Sequence, residues 1–166
     1  MLRRTILLMA VASLALAAGP SVQAGNGTCF GETTTIPSTP GPDTLTGTPG
    51  RDVINGLDGN DDIDGLRAND LLCGGTGNDE LFGKLGRDRI AGNGGHDSMI
   101  GGGGADRFLG GRGRDSATGG PRDDVMRGGR AGDTLIGNGG FDVARGGPGL
   151  DACLAERMSC EFFPGE

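Results

Sequence analysis

The chain has 166 residues, among them 37 glycines and six phenylalanines but no tryptophan or tyrosine, and its formal net charge is −7. That composition leaves little material for a broad aromatic core, and the acidic balance argues against nucleic acid as a partner. A single histidine excludes an H-E-x-x-H metalloprotease helix, and the absence of G-x-S-x-G removes the nucleophile elbow of a lipase.

Met1 to Ala24 reads as a secretory signal: Arg3 and Arg4, the apolar run Ile6–Ala18, then small residues up to a cleavage point after Ala24. The apolar run is 13 residues long, short of the roughly 20 that a membrane span needs. Secretion is therefore expected, with no transmembrane segment in the mature chain, whose net charge falls to −9 once Arg3 and Arg4 are removed. Residues 25–37 read as an N-terminal cap, because the repeat register that follows, extended backwards, puts Ile36 at an apolar position.

From Ser38 to Leu154 an aspartate recurs every nine residues, thirteen times without a slip. The series is Asp43, Asp52, Asp61, Asp70, Asp79, Asp88, Asp97, Asp106, Asp115, Asp124, Asp133, Asp142 and Asp151. With this aspartate as position six, glycine opens twelve of the thirteen units and fills position four in ten. Position eight is apolar throughout, from Leu45, Ile54 and Ile63 to Leu135, Ala144 and Cys153. The unit is G-x-x-G-x-D-x-U-x, a solenoid signature.

Glycines at fixed offsets mark backbone that needs φ > 0 or a close approach, so positions one to five are expected to form a tight turn with uncovered carbonyls. Positions seven to nine alternate out, in, out, as in a short strand with one buried side chain. One such strand buries nothing useful alone, so units must stack on copies of themselves. Two units per coil give two parallel sheets facing across a thin core. Stacking also brings the position-six carboxylates of alternate units to about the 4.8 Å strand spacing. Like charges that close need a cation. The donors on offer are carboxylates and carbonyls, hard oxygens that suit calcium, whereas zinc would want cysteine or histidine.

On these residues the chain resembles the hemolysin-type (RTX) calcium-binding nonapeptide repeats, over 117 of its 166 residues. The resemblance implies an all-β, right-handed parallel β-roll. It also implies that multiple Ca²⁺ ions lie between successive turns, held by the thirteen aspartates and by turn carbonyls such as those of Gly74, Gly77, Gly92, Gly95, Gly101 and Gly104. The turns from Gly56 to Asp106 come nearest the pattern. Arg122 and Ala131 at position four, with Phe141 and Leu150 at position five, depart from it and weaken the expectation of calcium there.

Arginines inside turns (Arg51, Arg67, Arg87, Arg112, Arg114, Arg122 and Arg130) are unusual for such repeats. Either they bridge stacked carboxylates in place of calcium or they point into solvent. Residues 155–166 read as a C-terminal cap, with a short helical turn over Glu156 and Arg157. The four cysteines suit an oxidising context. Three connectivities are open: Cys153 with Cys160 is the natural local pair, which leaves Cys29 with Cys73, and free or metal-binding thiols are the alternative.

No catalytic constellation emerges, so the expected function is a secreted, non-enzymatic calcium-binding roll that folds on extracellular calcium. The alternative is an adhesion or interaction platform. In odd-numbered units position nine carries Phe82, Ile100, Thr118, Ile136 and Leu154, an apolar ladder that could serve self-association or a cell-surface or matrix partner through Phe82, Ile100, Ile136 and Leu154.

Overall fold

An apolar side chain every ninth residue can be buried only if each unit bends the chain back across a shared core. The computed structural model, which describes residues 28–155, has this architecture. The segment read as a signal and the turn expected at Glu156 and Arg157 lie outside the described residues. In chain order the strands begin with β1 (Thr28–Cys29), β2 (Glu32–Thr33), β3 (Thr44–Thr46), β4 (Val53–Asp58) and β5 (Asp62–Asp64). They continue with β6 (Leu71–Thr76), β7 (Glu80–Leu85), β8 (Arg89–Gly94), β9 (Ser98–Gly103) and β10 (Arg107–Arg112). The last are β11 (Ser116–Pro121), β12 (Val125–Arg130), β13 (Thr134–Gly139), β14 (Val143–Arg145) and β15 (Ala152–Ala155).

Even-numbered strands from β4 to β14 form one six-stranded sheet, and odd-numbered strands from β3 to β15 form the seven-stranded sheet opposite. Pairing is parallel with an 18-residue shift, as in Ile54 on Leu72 and Leu81 on Met99. The position-eight side chains from Leu45 to Ala144 are buried in a single core, with Ile36 and Cys153 packed against it. Ile36 thus takes the place that the extended register gives it.

Most strands are longer than the expected three residues. Six-residue strands run from position seven of one unit to position three of the next, which confines the bend to positions four to six. The cause is position one: its glycine alternates inward with the apolar position eight, so the ladder carries on through it. Val125–Arg130 illustrates this, with Met126 and Gly128 buried and their neighbours at the surface.

The described part of the segment read as an N-terminal cap folds out onto a sheet. β1 and β2 form an antiparallel hairpin through Phe30 and Gly31, both at positive φ. The hairpin lies on the outer face of the even-numbered sheet, where Cys29 packs with Val53, Leu71, Cys73 and Ala91 in a second small core, and Phe30 rests against it. The Cys29–Cys73 disulfide pins it there, with the Cα atoms 5.7 Å apart. Arg51 adds a 2.7 Å ion pair to Glu32, and Arg89 stacks on the Phe30 ring, 4.1 Å from its centroid. Cys153 is disulfide-bonded as well; its expected partner, Cys160, lies outside the described residues.

The ladder on the odd-numbered sheet forms in register, Phe82 on Ile100, Ile100 on Thr118, Thr118 on Ile136 and Ile136 on Leu154. Ile100 is 39% exposed and Leu154 61%. Among the described residues no helix is long and apolar enough to cross a membrane.

Because the hairpin and the sheet are joined by one cross-link over 44 residues, Cys29→Ser with Cys73→Ser is expected to lower stability by about 2–4 kcal/mol. The loss should fall on the hairpin. Hydrogen exchange of the calcium-loaded variant should show Thr28 to Thr33 deprotected while the strands from β7 to β13 keep their protection; uniform loss along the roll would contradict the separate second core.

Candidate calcium-binding edges

Each turn ends on its aspartate, and stacking places these aspartates in two columns, one per edge of the roll. In each column the backbone N–H of one aspartate donates to Oδ1 of the aspartate one coil later. Asp61 donates to Asp79 at 2.9 Å and Asp79 to Asp97 at 3.0 Å on one edge. Asp70 donates to Asp88 at 2.9 Å and Asp88 to Asp106 at 2.8 Å on the other. The same pairing runs from Asp43 to Asp151 and from Asp52 to Asp142. One carboxylate oxygen is therefore fixed by the backbone.

The second oxygen is not. Oδ2 of Asp61, Asp70, Asp79, Asp88, Asp97, Asp106, Asp115, Asp124 and Asp133 is buried with no hydrogen-bond partner. Two protein groups crowd it: the position-one glycine of its own unit and, at most coils, the carbonyl of the position-one glycine one coil on. A Cβ on Gly65 would lie 2.8 Å from Asp70 Oδ2 and 3.2 Å from the Gly83 carbonyl oxygen. On Gly83 it would run into Asp88 Oδ2 and lie 2.8 Å from the Gly101 carbonyl oxygen. On Gly56 it would meet Asp61 Oδ2 and the Gly74 carbonyl. Glycine at position one thus leaves room where a carboxylate and a carbonyl converge.

A second column of carbonyls stands at position four. The carbonyl of Gly77 points at the Cα of Gly95, that of Gly95 at Gly113, and that of Gly86 at Gly104, each so close that no Cβ would fit. Where a Cβ is present the backbone rotates. Ala68 and Ala131 sit at φ 77° and 80°, in the ordinary left-handed well, whereas Gly77, Gly86 and Gly95 lie between 131° and 144°. Arg122 has no such escape: at φ 134° it occupies a conformation suited to glycine and carries real strain. Of the two position-four departures singled out in the sequence, Ala131 is thus relaxed and Arg122 strained.

The first two turns differ from the rest in a way that the aspartate series conceals. The Thr39 backbone N–H donates to Asp43 Oδ2 at 2.7 Å, and the Thr48 N–H and hydroxyl donate to Asp52 Oδ2 at 2.6 and 3.0 Å. Threonine at position two was the available signal, since a hydroxyl there can cap its own turn's carboxylate. Position five hides another ladder: Asn60 Oδ1 accepts from the Asn78 N–H, Asn78 Oδ1 from His96, and His96 Nδ1 from Arg114, each at 2.8 Å. His96 is tied into this ladder through Nδ1, not merely solvated.

Burial drives the ladder carboxyls upward. Asp88, Asp97 and Asp124 are pushed to about 7, and Asp70 and Asp133 to about 6, by desolvation first and by neighbouring aspartates in their own column second. The hydrogen bond at Oδ1 opposes this only in part. Asp61, Asp79, Asp106 and Asp115 are raised for the same leading reason. No arginine is ion-paired with them: among the described residues the ion pairs are Arg51–Glu32 and Lys84–Asp64, the turn arginines are exposed, and at Asp70 the nearby Arg51 charge offsets only part of the rise.

The chemistry of this donor set fits calcium. It supplies, on each edge, one unsatisfied carboxylate oxygen per coil from Asp61 to Asp133 with carbonyls nearby, all hard oxygens, in a repeating cleft. Among the described residues no three His, Cys, Asp or Glu side chains converge on one point, which is the expected result when carbonyls provide much of the coordination. The RTX calcium-binding nonapeptide repeat profile matches residues 38–72, 74–108, 100–135, 109–144 and 128–155. No curated protein and no solved structure matches the chain.

The raised pKa values fix the sign of a pH effect. A carboxyl at 3.8 when unfolded and near 6 to 7 when folded favours the roll below its unfolded value, and that advantage is lost as pH rises through the folded one. Calcium-free protein should therefore gain strand content as pH is lowered from about 8 to about 5. Circular dichroism after chelating-resin treatment checks this; strand content that is flat or falling over that range would contradict the buried, unpaired ladder.

Proposed function

We propose, for a chain that belongs to the RTX calcium-binding nonapeptide repeat family, that it is a secreted, non-enzymatic roll whose folding and calcium binding are one event. The observation that carries this is the row of nine buried Oδ2 atoms without a partner. At neutral pH each is a charge or a strained proton in the protein interior, and a divalent cation bridging successive coils removes both penalties. Ions that bind only the stacked state stabilise it by mass action, so extracellular calcium would act as the folding signal. Several ions per molecule follow from the repetition of the cleft from Asp61 to Asp133. Asp43 and Asp52, each satisfied at Oδ2 within its own turn, are secondary members of the ligand set. The N-terminal signal reading supplies the oxidising, calcium-rich setting, and the Cys29–Cys73 bridge suits it.

In EGTA at about pH 7.5, above the values of about 7 reached by Asp88, Asp97 and Asp124, the mature protein is expected to give a coil-like circular dichroism spectrum that converts to strand on calcium addition. Magnesium should not substitute, since it resists shedding its waters for carbonyl ligands. A strand spectrum that persists in EGTA would remove the coupling.

A second reading rests on the ladder of Phe82, Ile100, Ile136 and Leu154, of which Ile100 and Leu154 are exposed and Phe82 and Ile136 half-buried, and which would make the odd-numbered sheet a contact strip for a second copy or a surface partner. Ile100→Asp with Ile136→Asp should then leave calcium-induced folding intact while dissolving any oligomer. Ultracentrifugation that finds calcium-loaded wild type and variant equally monomeric would leave the ladder as packing alone.

A further inference from the structure

The two outer faces of the roll carry opposite charge. At the outward positions seven and nine, the odd-numbered sheet bears Asp62, Asp64 and Glu80 and no arginine or lysine. The even-numbered sheet bears Arg89, Arg107, Arg127 and Arg145 at the same positions, and no acid. Register stacks these arginines on one another, Arg89 on Arg107 and Arg127 on Arg145, with Arg112 on Arg130 beside them. Like charges directly opposite in a sheet are destabilising. None of the six forms an ion pair among the described residues, and Arg89 rests on the Phe30 ring instead.

A groove of about 360 Å³ runs between these guanidiniums, lined by Phe30, Arg89, Arg107, Leu109, Val125 and Arg127, with no carboxylate in its wall. The Arg89 guanidinium is already held over the Phe30 ring. The groove thus has a fixed cation at one end, further cations along it, and an apolar floor of Leu109 and Val125, which are 41% and 37% exposed.

We propose that this face, from β8 to β14, binds a linear acidic polysaccharide with a carboxylate on successive sugars. Guanidinium groups pair bidentately with carboxylates, and stacked arginines repeat at about the 4.8 Å strand spacing, close to the rise of one sugar along an extended chain. The exposed apolar floor of Leu109 and Val125 suits the flat faces of sugar rings. An anionic membrane is the competing occupant, since Leu109, Val125 and Val143 are exposed on this face, and vesicles are therefore one arm of the test. A single-stranded nucleic acid would want free aromatic faces for its bases, and Phe30 is covered by Arg89. This inference needs the folded roll but not the apolar ladder opposite, and it does not depend on how many ions the edges hold.

The test uses the calcium-loaded protein and a labelled linear glucuronate oligosaccharide, followed by fluorescence anisotropy. Neutral dextran, phosphatidylglycerol vesicles and a single-stranded oligonucleotide serve as comparisons. Wild type should bind the glucuronate and lose affinity as salt rises. Arg107→Gln with Arg127→Gln should weaken binding on the order of ten-fold or more, and the corresponding lysine pair, which keeps charge but loses the fork, should fall between. Circular dichroism and calcium titration should be the same for all three proteins. Should the glutamine pair fail to fold, Arg127→Gln with Arg145→Gln near the end of the sheet gives the same readout. No glucuronate binding by folded wild type, equal binding by a folded glutamine variant, or tighter binding of the vesicles or the oligonucleotide would each overturn the proposal.

Discussion

A carboxylate buried with only one of its oxygens satisfied is the constraint on which the rest of this roll depends. Asp Oδ1 is locked by the amide of the coil before it, as between Asp88 and Asp70, and that bond fixes the coil-to-coil register as firmly as the strand ladder does. The same bond aims Oδ2 inward, against the position-one glycine, where no protein donor can reach it. Repulsion and desolvation then act along two whole columns at once. A metal-free roll is penalised at every coil from Asp61 to Asp133, and a bridging cation relieves every coil in the same way. Cooperative, ion-dependent folding is a natural outcome of that repetition.

The glycines have two separate reasons to be there. At position one a Cβ would occupy the space in which a carboxylate and a carbonyl face each other, as at Gly65. At position four a Cβ would strike the carbonyl of the coil before, as at Gly95 against Gly77, unless the backbone rotates as it does at Ala68 and Ala131. Thin solenoids with close coil spacing have no freedom to move these carbonyls aside. The apolar residue at position eight then needs only modest bulk, which is why Ala117 and Ala144 serve beside Phe108 in one continuous core.

Much of this was legible in the sequence because it follows from period alone. The nine-residue aspartate series fixed the two edges, position eight identified the core from Leu45 to Cys153, and the backward register placed Ile36. Cysteine spacing made Cys29 with Cys73 one of the open pairings, and that is the bond present. Features that break the period were not legible. Strand length was underestimated because glycine at position one was read as turn when it is an inward-facing ladder residue. The seat of the hairpin was missed although Val53, Leu71, Cys73 and Ala91 are apolar at outward positions, because a one-dimensional repeat does not say which face a terminal segment covers. The satisfied state of Asp43 and Asp52 rests on Thr39 and Thr48, substitutions that look like mere degeneracy until the donor geometry is drawn.

The most direct measurement is a crystal structure of the calcium-loaded protein with anomalous difference maps sensitive to calcium. Coordination by the ladder predicts peaks in two columns, one per edge, each within about 2.3–2.6 Å of an aspartate Oδ2 between Asp61 and Asp133 and of neighbouring turn carbonyls. Columns without peaks, with those Oδ2 atoms instead bonded to arginine or water, would contradict the central claim that a metal completes the buried carboxylates.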